Sequence, residues 1–116
     1  MPAQIGLSTI TATIASGAAL SSAVYLGANF LVGIYIPSNW TSANVTFQAS
    51  PDGGTTWGEL YSYLGAEITF VAAPSQFLAV DPTLWKGARS LIVRSGTAAT
   101  PVNQSNTVNL TLVLSL

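Results

Sequence analysis

The chain contains no cysteine and no histidine, and its 116 residues include only three basic and four acidic side chains. Without cysteine there is no disulfide framework and no thiol chemistry. Without histidine as well, the usual zinc and haem ligand sets, His-based acid–base catalysis and His-containing triads are all excluded. Charged residues make up 6% of the chain, against about 25% in an ordinary soluble domain. Three cations cannot build the electrostatic footprint that nucleic acid or an anionic membrane demands. The composition therefore predicts no metal, no cofactor, no nucleic-acid partner and no membrane partner. Redox compartment is left open, because nothing here depends on it. The opening Met1-Pro2-Ala3-Gln4-Ile5 lacks the positive region of a secretory leader.

Long hydrophobic runs are also scarce. Residues 17 to 36 carry no charge and approach the hydropathy of a spanning helix. Gly17, Ser21, Ser22, Gly27, Asn29 and Gly33 interrupt them, however, and the first cation in the chain is Lys86. Phe30, Val32, Ile34 and Ile36 alternate with a period of two, so two strands are predicted there instead of a helix.

What the chain does have is alternation. Val108, Leu110, Leu112, Leu114 and Leu116 interleave with Thr107, Asn109, Thr111, Val113 and Ser115, the pattern of a strand with one apolar face. Ile5 and Leu7 share one parity while Ile10, Ala12 and Ile14 share the other, which predicts a bulge near Ser8 and Thr9. Asn44 to Ser50 reads as a strand with Val45, Phe47 and Ala49 inward. The consecutive Leu91, Ile92 and Val93 suggest a strand covered on both faces. Shorter strands fit Leu60 to Leu64, Glu67 to Ala72 and Gln76 to Val80. One helical turn is predicted, with Asp81 as its cap, Pro82 at its first position and Gly87 after Leu84, Trp85 and Lys86. Turn signals recur roughly every eight to twelve residues. The predicted fold is all-β: one domain over residues 1–116, a small antiparallel β-sandwich, jelly-roll-like, with one short helical turn.

Ser50-Pro51-Asp52-Gly53-Gly54-Thr55-Thr56-Trp57 matches the Asp-box pattern S-x-D-x-G-x-T-W. In that pattern a carboxylate accepts turn amides, glycine permits positive φ and an aromatic ring closes over the hairpin. It is similar to the repeats of sialidase propellers, which carry several copies and an arginine cluster. This chain has one copy and two arginines, so Ser50, Asp52, Gly53, Gly54, Thr56 and Trp57 are assigned a structural hairpin. Asp52, Glu59, Glu67 and Asp81 are the carboxylates available for a glycosidase pair. Asp52 and Asp81 have turn and cap roles, and Glu59 and Glu67 suit ion pairs with Arg89 or Arg94. No motif sets a serine beside Lys86, and no catalytic residue is assigned. Tyr61 and Tyr63 share a parity and are the best placed of the aromatics for exposure, as interface anchors or as a sugar platform. The four sequons, at Asn39, Asn44, Asn103 and Asn109, are read as a by-product of a Ser- and Thr-rich chain.

Two segments resemble a family of short proteins encoded in tailed phages and prophages, often beside capsid genes. The first is Val32-Gly33-Ile34-Tyr35-Ile36-Pro37 with Trp40-Thr41, followed by Val45 to Ser50 and Asp52-Gly53. The second is Ile92-Val93-Arg94-Ser95-Gly96-Thr97-Ala98-Ala99-Thr100-Pro101-Val102-Asn103-Gln104. Together they span roughly half the chain, and the second is the more specific. Members of the family commonly place a basic residue before the last strand, where this chain has Ser105-Asn106-Thr107. The resemblance implies a virion structural protein on the capsid exterior, foremost a head decoration (cement) protein. A fibre or tail-associated carbohydrate-binding module is the alternative. It further implies contacts with the major capsid protein and with copies of itself, a trimer being favoured. Residues 1–30 carry little of it and suit an assembly arm plus first strands. Ser95, Gly96, Thr97, Pro101, Asn103 and Gln104, with Tyr61 and Tyr63, are the candidate interface. Size scaling supports this, since seven charges over roughly 6,000 Å² leave about one per 850 Å², near the area one partner gives to an ordinary interface.

Overall fold

A computed structural model describes residues 6–116 and consists of eight strands in two antiparallel sheets. The strands are β1 (Leu7–Ile14), β2 (Val24–Tyr25), β3 (Phe30–Ile36), β4 (Val45–Ser50), β5 (Gly58–Glu59), β6 (Gln76–Ala79), β7 (Ser90–Ser95) and β8 (Val108–Ser115). One sheet has the order β1-β8-β3-β6 and the other β2-β7-β4-β5. The pairs β1–β8, β2–β7, β3–β6 and β4–β5 are all hydrogen-bonded neighbours. The chain is thus one long hairpin, folded at β4–β5 and wound so that its arms cross between two sheets. That winding is the jelly roll.

Periodicity explains which side of each strand is buried. In β8, Val108, Leu110, Leu112 and Leu114 point into the core while Asn109 faces out. In β4 and β7 the inward rows Val45, Phe47 and Leu91, Val93 are fully buried. Ile92 lies on the opposite face beside Gln48 and is only half-buried, so β7 is less fully covered than its apolar run predicts. Trp85 closes the core, edge-on to Phe47 at 4.9 Å, and Phe47 in turn meets Phe70 at 5.2 Å. Trp85 belongs to the predicted helical turn, a 3-10 turn over Pro82–Trp85 in which the Thr83 amide donates to the Asp81 carboxylate at 3.0 Å.

Three local expectations are corrected. β1 pairs with β8 in unbroken register from Leu7 to Ile14, without a bulge. Leu7 simply faces outward, which accounts for the change of parity; Ile5 lies outside the described residues. The bulge sits in β3, where Leu31 faces Leu114 and Gly33 already faces Val113. Val32 is the extra residue, so the buried row runs Leu31, Ile34, Ile36 and not Phe30, Val32, Ile34, Ile36. Finally, residues 60–72 form no full strands. They make a narrow hairpin with bridges at Tyr61–Glu67 and Val45–Phe70. Residues 17–36 contribute β2 and β3, and no helix among the described residues is long and apolar enough to cross a membrane.

Candidate functional site

The segment after β7 is built on Arg94. This residue lies on the outer face of β7, opposite Thr46, yet it is only 4% exposed. The hairpin carrying Glu67 covers it. One guanidinium nitrogen pairs with Glu59 and the other reaches Glu67 at 3.4 Å and the Thr46 hydroxyl at 3.4 Å. Burial pushes the Glu59 carboxyl up, but hydrogen bonds from Arg94 and Gln48 and the Arg94 charge outweigh it, and the group ends below the usual glutamate value. Arg89 plays no part in this cluster, so of the two arginines open to Glu59 and Glu67 both carboxylates take Arg94. They are thereby occupied.

Glu67 also accepts a hydrogen bond from the Ala98 amide at 3.0 Å, joining the hairpin to the loop that follows β7. That loop is pinned at several points. The Gly96 amide donates to Asn44 O at 2.7 Å and the Val102 amide to Ser95 O at 2.8 Å. The Thr97 amide donates to Thr100 O at 3.1 Å, and the Thr100 amide returns a bond to the Thr97 hydroxyl at 3.0 Å. Gly96 has φ +88°, and a Cβ there would lie 2.5 Å from Thr100 O and 2.6 Å from Val102 N. Only glycine fits this turn.

The candidate interface residues divide into two groups. Ser95, Gly96 and Gln104 are buried and cannot reach a neighbour, which corrects the sequence assignment. Gln104 is a strut: its carbonyl accepts from the Thr41 amide at 2.7 Å, and its NH₂ donates to Thr41 O at 2.9 Å and to the Ser95 hydroxyl at 2.7 Å. Its backbone is tied to Ala18 and Gly17. Pro101 and Asn103 are exposed and Thr97 is half-buried, with Ala98, Ala99 and Thr100 exposed between them. The result is an uncharged crown on a buried framework. Nothing in the sequence distinguished strut from crown, because Asn103 and Gln104 are chemically similar neighbours.

Tyr61 and Tyr63 stay together but not on a strand. Tyr61 faces Glu67 at the base of the hairpin and Tyr63 sits in its turn, closed by the Ser62 amide donating to Ala66 O at 2.8 Å. Tyr63 is 97% exposed. Both line an open cleft of about 390 Å³ with Ile68, Thr83, Leu84 and Lys86. Its lining contains hydroxyls, apolar surface and one ammonium, but no carboxylate.

The Asp-box hairpin has the predicted bonding. Asp52 accepts from the Thr56 amide at 2.9 Å, the Thr55 amide at 3.1 Å and the Ser50 hydroxyl at 2.8 Å. The Gly54 amide donates to the Ser50 hydroxyl at 2.8 Å, and the Trp57 indole donates to Gly54 O at 3.0 Å. These bonds, the Thr56 amide first, hold the Asp52 carboxyl far below the usual range. Gly53 has φ +80°. Among the described residues no group of His, Cys, Asp or Glu is placed to hold a metal ion.

Compared with known proteins, the chain matches no family, no curated protein and no solved structure.

Proposed function

We propose that the protein is a non-enzymatic capsid decoration (cement) protein, which sits on the exterior of a phage head and stabilises the shell through non-covalent contacts with capsid subunits and neighbouring copies. The observation that carries this reading is the crown Thr97–Asn103, uncharged and held in one conformation by Gln104, Ser95 and Glu67. A loop ordered in advance loses little conformational entropy on binding, and an uncharged one loses little hydration. The engagement of Glu59 and Glu67 by Arg94 leaves no free carboxylate pair there for acid–base chemistry, in keeping with a structural role.

The test is co-sedimentation with capsids that lack the protein. Asn103→Asp adds a charge to the exposed crown and should leave melting unchanged while weakening capsid binding at least tenfold. Unchanged binding would remove the crown from the contact. The cleft beside Tyr61 and Tyr63 favours the second reading, a fibre or tail-associated module that stacks sugar rings on tyrosine. Glycan binding that disappears in Tyr63→Ala, with a handful of copies per particle instead of hundreds, would favour it.

A further inference from the structure

The sandwich has one long free edge. β2, β5 and β6, which end the sheets elsewhere, are two, two and four residues long, whereas β1 has eight. Natural edge strands are guarded by charge, proline, bulges or covering segments. β1, Leu-Ser-Thr-Ile-Thr-Ala-Thr-Ile, has no charge, no proline and an unbroken register with β8. Among the described residues its cover is confined to the far end, where the Ser22 amide donates to Thr13 O at 3.1 Å and Ser21 bridges Ile14. That bond also fixes which way the backbone points. Because peptide groups alternate along a strand, the amides and carbonyls of Leu7, Thr9 and Thr11 face the same side as Thr13 O, away from β8. Among the described residues none of them is hydrogen-bonded. The sandwich does not cover the inner side either: Ser8 is exposed and Ile10 only half-buried.

We propose that this edge is an interface for a second copy of the chain, β1 pairing antiparallel with β1 of the partner across a two-fold axis normal to the sheet. The register follows from the free groups. Placing Thr9 opposite the partner's Thr9 sets Leu7 against the partner's Thr11, and so pairs every free outward residue with another. A shift of two residues toward the C-terminus would send Leu7 against the partner's Thr13, which Ser22 already occupies. A shift the other way sets Thr11 against the partner's residue 5, outside the described residues. The resulting sheet would be continuous over eight strands, and Ile10 would gain cover beside the partner's Ser8. No formal charge opposes the approach, because β1, β8, β3 and β6 contain no Asp, Glu, Lys or Arg. This deepens the self-association part of the proposed function: it defines a two-fold unit, whereas the trimer would need a different contact.

The full chain serves as its own test. Light scattering at about 50 μM should give twice the monomer mass of 12.0 kDa. Thr9→Lys and Thr9→Glu each set like charges face to face and should be folded monomers, while an equimolar mixture should recover the dimer. The natural absence of cysteine makes cross-linking unambiguous. Thr9→Cys should form a disulfide-linked dimer on mild oxidation, since directly opposed residues are about 5.5 Å apart at Cα and within disulfide reach. Ser8→Cys alone should not, and Ser8→Cys mixed with Ile10→Cys should. A monomeric wild-type chain, a dimer that survives Thr9→Lys, or a three-copy mass that survives it would each overturn the pairing. Capsid co-sedimentation is scored separately, so loss of the dimer and loss of the cement reading are distinguishable.

Discussion

The two sheets are made from the same kinds of residue but stabilised differently. In the sheet β1-β8-β3-β6 every strand is free of charge, three of the four strands have seven or eight residues, and the outward face carries threonine, valine, tyrosine and phenylalanine together with Leu7 and Asn109. Even its glycine serves packing: the Phe77 ring lies where a Cβ on Gly33 would be, 2.4 Å away. The sheet β2-β7-β4-β5 has two-residue edges and carries Arg94 and Glu59 on its outer face, with hairpin and loop folded over them. One sheet depends on apolar burial alone, the other on burial plus a small ionic cluster. The charge is spent where loops must be held, and withheld where a flat surface is left open.

The largest expected effect tests the uncharged sheet. Leu112 is fully buried between β1 and β3, and Leu112→Ala should cost about 2–5 kcal/mol, read by denaturant unfolding and independent of salt. Arg94→Met tests the other sheet. Removing a buried cation from its carboxylates should cost on the order of 3 kcal/mol and loosen the loop through Glu67. Its pH dependence has a definite sign. Glu59 titrates below its ordinary value in the folded protein, so the stability it supplies is present above the unfolded pKa of about 4.3 and is lost as the pH falls through the folded value. The gap between Arg94→Met and wild type should therefore narrow in acid. Gly96→Ala comes next, at about 1–3 kcal/mol for a strained backbone with a close contact, and should weaken capsid binding more than melting. Asp52→Ala is the smallest: loss of an exposed turn acceptor should lower the melting temperature by a few degrees and change no glycan-directed activity.

The legible part of the sequence was whatever repeats. β8 and β4 follow from a period of two, and the Asp box and the Asp81–Gly87 turn follow from residues with narrow backbone preferences. What was not legible depends on chain segments distant in sequence. The β3 bulge lies opposite Leu114 and Val113 across the ladder, 80 or more positions from Leu31 and Gly33. The sequence left Glu59 and Glu67 open to Arg89 or Arg94, and only the hairpin laid over β7 decides for Arg94 and buries it. Gln104 reads as part of a polar loop, and only its contacts with Thr41 and Ser95 make it a core residue.

The nested pairing also dictates an order of assembly. β4 and β5 are joined by the seven-residue Asp-box loop and can meet as soon as both exist, whereas Thr11 meets Thr111 only when the two arms of the whole hairpin close. Closing short loops first costs the least chain entropy, so folding is expected to proceed outward from the Asp box, with the β1–β8 ladder made late. During synthesis β1 leaves the ribosome before every other strand and waits longest for its neighbour. Its charge-free edge is thus exposed twice, once on the nascent chain and again on the folded monomer before a second copy pairs with it. Chaperone dependence and inclusion-body formation in this protein should accordingly track substitutions in Leu7–Ala12 more closely than substitutions anywhere in the Asp-box hairpin.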